Sequence, residues 1–199
     1  MTIILNGLSD PNISELLNNG AIGVLPTDTV YGLACRASDK IAVRHLYKTK
    51  LREQKPGTII AASLEQLVEL GLKARYLKAV ERFWPNAVTI IIPCTPELNY
   101  LDLGLGTLAV RIPNHKTLNT LMKKTGPLLT TSANLPGEPP ANTIADARAY
   151  FADTVDFYVD GGDLASHQAS TIIRIVDDAI EVLRHGQVII DEETGRIQS

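Results

Sequence analysis

Apolar positions along the chain come in two alternating patterns. Short β-branched runs at residues 20–25, 30–35, 58–62, 88–93, 107–112 and 128–131 read as strands. The stretches between them carry apolar residues at helical spacing. Ser38 is placed to cap a helix that turns Ile41, Val43, Leu46 and Tyr47 inward and ends near Lys50. Ser63 and Gln66 have capping-box spacing ahead of the next helix. An amphipathic helix over 74–83 stops at Trp84-Pro85, and further helices span 117–124 and 143–150. The last third is different, with strands at 157–159, 171–176 and 180–183 in succession and Asp177-Asp178 as a hairpin-like link. Strands separated by helices, followed by strands in a row, predict an α/β fold with a mixed rather than purely parallel sheet. No repeat, low-complexity tract or linker divides it, so a single domain over 1–190 is expected, with a polar tail of little order at 191–199.

Composition changes this picture little. The chain has 199 residues, 45% hydrophobic and 21% charged, enough to bury a full core without disulfides or metal. A net charge of −3 argues against a protein that coats nucleic acid, while leaving room for a local basic pocket. Cys35 and Cys94 sit beside apolar residues with no metal or disulfide spacing and read as core residues. His45, His115, His167 and His185 share no ligand spacing and read as surface or turn residues, so no metal site is expected. Residues 1–6 lack the features of a signal peptide, and no apolar run is long enough to span a membrane. The expectation is a soluble, cytoplasmic protein with no membrane partner.

The informative residues are polar ones at strand ends. Pro26-Thr27-Asp28-Thr29 places two hydroxyls and a carboxylate between apolar strands, as either a plain turn or part of a site. Lys50, Arg52 and Lys55 follow a helix; they suit the helix C-terminus and would equally suit a polyphosphate. Arg111 lies in the apolar run 108–113 and needs an anionic partner, either an internal carboxylate or a ligand's. Thr130-Thr131-Ser132-Ala133-Asn134 follows a strand, where small hydroxyls and amides form either a ligand crevice or a local turn. The same alternatives hold for Ser170-Thr171 and for Arg184 beside His185-Gly186. There is no phosphate-binding P-loop, dinucleotide fingerprint or nucleophile elbow.

Taken together these segments resemble the YrdC family of L-threonylcarbamoyladenylate synthases in its short, single-domain form. The matching pieces run in family order: Pro-Thr-Asp-Thr-Val-Tyr-Gly at 26–32, Lys50-x-Arg52, Phe83-Trp84-Pro85, the run 108–113, Thr131-Ser132-Ala133-Asn134, Asp160-Gly161-Gly162, Ser170-Thr171 and Leu183-Arg184-x-Gly186. The resemblance implies an open, twisted α/β sheet that holds substrates in its concave face. It implies condensation of L-threonine, bicarbonate and ATP, with Mg2+, to threonylcarbamoyl-AMP and pyrophosphate. The product would pass to a tRNA threonylcarbamoyl transferase complex for N6-threonylcarbamoyladenosine formation. By the same resemblance, Thr29, Arg111, Ser132 and Ser170 belong to the threonine side. Lys50, Arg52, Lys55, Thr107, Asn134, Asn142, Thr143 and Arg184 belong to ATP, with Lys50 and Arg52 as the catalytic cations. The sequence departs from many relatives after Lys-x-Arg, where Glu53-Gln54-Lys55-Pro56-Gly57 replaces Asn-Pro-Leu, and at Ile60, where a histidine is usual. Two other readings are weighed: a YrdC-fold protein that binds RNA, and one that binds nucleotide with little or no synthase activity.

Overall fold

A computed structural model of the chain describes residues 2–51, 55–177 and 179–198. Its main sheet has ten strands. In chain order they are β1 (Ile3–Asn6), β2 (Gly23–Leu25), β3 (Gly32–Arg36), β4 (Thr58–Ile60), β5 (Val88–Pro93), β6 (Thr107–Arg111), β7 (Leu128–Ser132), β8 (Phe157–Asp160), β9 (Thr171–Val176) and β10 (Ala179–Arg184). They lie side by side as β1-β8-β2-β3-β7-β4-β6-β5-β9-β10. The β1/β8, β2/β8, β4/β6 and β5/β9 pairs are parallel and the others antiparallel, so the sheet is mixed as the pattern predicts.

The helices are α1 (Asn12–Asn18), α2 (Lys40–Thr49), α3 (Leu64–Leu70), α4 (Ala74–Val80), α5 (Asn99–Asp102), α6 (Lys116–Thr125) and α7 (Ile144–Phe151). Asp39, not Ser38, caps α2, accepting from the Ile41 and Ala42 N–H groups. A carboxylate both accepts and complements the positive helix end, so it outcompetes the hydroxyl one residue earlier. With that start, Ala42, Val43, Leu46 and Tyr47 form the inward stripe, and Ile41 is 78% exposed, against the expectation that it packs inside. Ser63 caps α3, but the Gln66 side chain accepts from the Ala62 N–H, so the capping box predicted there is incomplete. A complete box forms instead at α7, between Thr143 and Asp146.

Period-two alternation sends neighbouring side chains to opposite sheet faces, and these faces own different cores. Val24, Leu33, Cys35, Ile59, Leu129 and Tyr158 enter one core with residues of α2, α4 and α7. Their neighbours Leu25, Ala34, Ile60, Leu128, Phe157 and Val159 enter the other, covered by α1 and α6. Ile60 is therefore a fully buried core residue. The second face is covered only in part. Beyond Ile60 and Leu128 its floor passes to Gly32, Thr58, Thr130, Ala109 and Ile91, adjacent in register and small or half-polar.

The polar end does not form the unstructured tail its composition predicts. Strands β11 (Ile189–Ile190) and β12 (Ile197–Gln198) pair antiparallel, and Asp191 accepts from the Thr194 N–H in the link. Among the described residues no helix is long and apolar enough to cross a membrane.

Candidate active site

A crevice of about 340 Å³ lies over the uncovered floor. Strand β6 explains why a buried face can be polar. Leu108 and Val110 fill the core below, while Thr107, Ala109 and Arg111 alternate upward into the crevice. One wall is the link between β2 and β3, with Thr27 and Thr29; the opposite wall is Ser170 and Arg184, brought in by β9 and β10.

Arg111 is 5% exposed, and its partner is internal. Its Nη2 donates to Asp28 Oδ1 at 3.0 Å and to Thr29 Oγ1 at 3.4 Å, and its Nη1 donates to Thr89 Oγ1 at 3.4 Å. Burial pushes the guanidinium pKa down from its ordinary value, and the Asp28 carboxylate opposes that shift. The turn carrying Asp28 is fixed by Thr27, whose hydroxyl accepts from the Thr29 N–H at 3.1 Å and donates to the Val30 carbonyl at 2.7 Å. Behind it, Tyr31 Oη donates to the Gly162 carbonyl and accepts from the Gly161 N–H, each at 2.8 Å. That pins the Asp160-Gly161-Gly162 loop against Pro26. A Cβ on Gly161 would stand 2.5 Å from the proline's, so only glycine allows the approach.

Thr89 also links to the far wall, with 2.8 Å between its hydroxyl and that of Ser170. Arg184 donates to the Ser170 carbonyl from Nε at 3.0 Å and Nη2 at 2.7 Å, and to Ser170 Oγ at 3.1 Å. Its pKa is lowered by burial and then by the nearby positive charge of Arg111. Gly186 makes this wall possible, because a Cβ there would lie 2.2 Å from the Ala169 carbonyl oxygen.

Lys50 ends α2 and is 3% exposed. Its ammonium donates to the Ser132 carbonyl at 2.7 Å, to Asn134 Oδ1 at 2.6 Å, and to the Asn134 carbonyl. Ser132 Oγ donates to the same Asn134 Oδ1 at 2.6 Å, and the Asn134 amide donates to the Leu135 and Glu138 carbonyls. The residues following β7 are thus organised around one cation.

The structure brings Thr29, Thr107, Arg111, Ser132, Ser170 and Arg184 together as crevice lining. Lys50 and Asn134 join through Ser132, and Lys55 is exposed beside Pro56, which lines the rim. Arg52 lies outside the described residues. Asn142 and Thr143 do not line the crevice; the Thr143 hydroxyl donates to Asp146 Oδ2 and accepts from the Asp146 N–H, as a helix cap does. Sequence reasoning missed Asp28 and Thr89, which accept from Arg111 behind the crevice lining, and Tyr31, which is part of that lining. Asp28 had a signal, as the carboxylate of a polar turn, and Thr89 had one, as a hydroxyl inside an apolar strand.

Both cysteines are free, and burial raises both thiol pKa values, that of Cys94 to about 12 with Asp102 accepting from its thiol at 3.1 Å. Among the described residues no three His, Cys, Asp or Glu side chains gather as a metal site.

Comparison with known proteins agrees with this geometry. The family model Sua5_yciO_yrdC, described as "Telomere recombination", matches residues 15–186. A threonylcarbamoyl-AMP synthase of Klebsiella pneumoniae is 36% identical over 180 residues, 86% of this chain and 92% of that protein. One of Bacillus subtilis is 35% identical over 192 residues, 90% of this chain but 55% of that longer protein. The crystal structure of P. abyssi Sua5 complexed with L-threonine superposes with a TM-score of 0.83 at 29% identity, covering 94% of this chain and 58% of that one. The chain belongs to the Sua5/YciO/YrdC family.

Proposed function

We propose that the crevice binds L-threonine, bicarbonate and ATP and joins them into threonylcarbamoyl-AMP, releasing pyrophosphate. The observation that carries this reading is the division of charge across one floor. Arg111 and Asp28 make a neutral, dry pair beside the hydroxyls of Thr29 and Ser170, while the cationic side chains of Lys50 and Arg184 gather with Ser132, Asn134 and Thr107. The first group suits an amino acid, the second a polyphosphate.

Arg111 takes the threonine carboxylate, with Thr29, Ser132 and Ser170 around the substrate's polar groups. The threonine nitrogen adds to bicarbonate carbon with loss of water. An oxygen of the resulting carbamate then attacks the α-phosphorus as the bond to pyrophosphate breaks. Lys50 exchanges a carbonyl partner for a phosphate oxygen and, with Arg52, Lys55 and Arg184, balances charge on the leaving group. Thr107 and Asn134 flank the nucleotide. Magnesium would enter with ATP and supply neutralising charge on the phosphates; among the described residues no carboxylate cluster gathers to hold it. Such chemistry needs positioning and electrostatics rather than a nucleophile and base, and among the described residues no such pair lines the crevice. The product is reactive and passes to a tRNA threonylcarbamoyl transferase.

The test is pyrophosphate release by the purified protein with magnesium-ATP and bicarbonate, with and without L-threonine, together with mass spectrometry of the product. Threonine-dependent release and a threonylcarbamoyl-AMP mass are expected. Folded protein that releases no pyrophosphate, or that binds RNA with steep salt dependence instead, would overturn the reading.

A further inference from the structure

The ion pair on the crevice floor is incomplete on both members. Asp28 Oδ2 and Arg111 Nε are buried with no hydrogen-bond partner, and the two side chains are 7% and 6% exposed. Buried polar atoms nearly always have partners, so a pair open on its negative and its positive side at once needs an account. The two open atoms are an acceptor on a carboxylate and a donor on a guanidinium, held on adjacent groups 3.0 Å apart.

We propose that Asp28 and Arg111 together recognise both charged ends of an α-amino acid, with Asp28 accepting from the substrate nitrogen while Arg111 holds the carboxylate. This deepens the functional reading above and rests on it, making Asp28 a specificity-determining residue. The argument is one of charge balance. A ligand bringing only a carboxylate would set two negative groups against one buried cation. A zwitterion brings one charge of each sign to a pair that is itself neutral, so the dry site stays neutral when the amino acid binds. An α-amino acid carries nitrogen and carboxylate on one carbon, which matches two adjacent protein groups. The contact also outlasts the first chemical step, because the carbamate nitrogen keeps one N–H for Asp28. The turn is organised in advance, with Thr27 and Thr29 hydrogen-bonded on either side of Asp28.

The experiment compares L-threonine with the dihydroxy acid in which a hydroxyl replaces the amine, by calorimetric titration. The unaltered protein should prefer threonine by roughly 100-fold, the scale of a charge-assisted contact in a dry site. In Asp28→Asn, threonine affinity should fall by roughly 30- to 100-fold, while the dihydroxy acid binds equally or more tightly, since a repelling charge has gone. Asp28→Glu, which keeps the carboxylate, should retain a preference of at least roughly 10-fold. Equal weakening of both ligands in Asp28→Asn would reduce Asp28 to a support for Arg111 and overturn the proposal. Equal affinity of the unaltered protein for the two ligands would overturn it without any variant, so an unstable Asp28→Asn does not protect it. Failure of the unaltered protein to bind threonine at all would remove the functional reading together with this inference.

Discussion

Arg111 and Lys50 are cations of nearly equal burial on the same crevice, 5% and 3% exposed, yet their surroundings differ in kind. Arg111 faces a carboxylate, and the unit carries no net charge. The partners of Lys50 include two carbonyls and an amide oxygen, so dipoles surround much of its ammonium. Position in the fold explains the difference. Arg111 is mid-sheet, between hydroxyls and the β2–β3 turn; Lys50 stands at the end of α2, where the helix C-terminus already favours a cation. Equal burial therefore does not mean equal use. A carboxylate-paired arginine can recognise a zwitterion, whereas a lysine among carbonyl and amide oxygens can exchange one of them for an anion's oxygen.

Breaking each in turn should separate the two roles. Arg111→Met strands the Asp28 carboxylate in a dry site and should cost about 3–5 kcal/mol of stability in urea titrations. Threonine binding should vanish with it, and the double variant Asp28→Asn/Arg111→Met should regain most of the stability but none of the affinity. Lys50→Met leaves neutral carbonyls without a donor, a smaller loss of about 1–3 kcal/mol. It should raise the KM for ATP and lower kcat while changing threonine affinity by less than roughly 3-fold. Equal effects of both variants on both ligands would erase the distinction.

Gly186→Ala sharpens the contrast, because this wall serves both sides. Its Cβ would collide with the Ala169 carbonyl and, at 2.6 Å, with the Ser170 backbone, displacing Ser170 and its partner Arg184 together. A stability loss of about 1–3 kcal/mol is expected, with threonine and ATP affinities falling in parallel. The smallest effect belongs to Thr143→Ala. Loss of the cap should remove about 1 kcal/mol, seen as a slightly lower Tm, with ATP affinity unchanged. A tenfold loss of ATP affinity would instead restore Thr143 to the nucleotide site.

The mixed sheet was legible because its central strands are β-branched runs closed by polar residues, and residues 88–93 and 171–176 match β5 and β9 at both ends. Elements that bury little were not. Strand β1 hides only Leu5, and the four-residue α5 is too short to show a period. Ile41 was misread because a hydrophobic residue one position off the stripe looks the same in a linear pattern. In the site, residues that contact a ligand through distinctive side chains could be read from order and type. Asp28 and Thr89 are bonded to other protein groups, Arg111 and Ser170, and such partnerships appear only when strands are laid side by side. Thr143 shows the converse, a polar residue near a motif whose hydroxyl is spent on its own helix.

Three hydrogen bonds that tie the crevice together join distant parts of the chain: Asp28 and Arg111 are separated by 83 residues, Lys50 and Asn134 by 84, Thr89 and Ser170 by 81. In addition, β9 must slot in parallel beside β5 before β10 can add to the edge. On the ribosome, then, the floor is translated long before its last wall. Closing loops of this length costs more entropy than forming a helix, and the last wall can close only once Ser170 and the strands after it have been made. A nascent chain stopped short of Ser170 would present the polar floor with its arginine but no opposite side. The crevice is thus completed late, when β9 and β10 bring Ser170 and Arg184 to the floor that the earlier strands have laid.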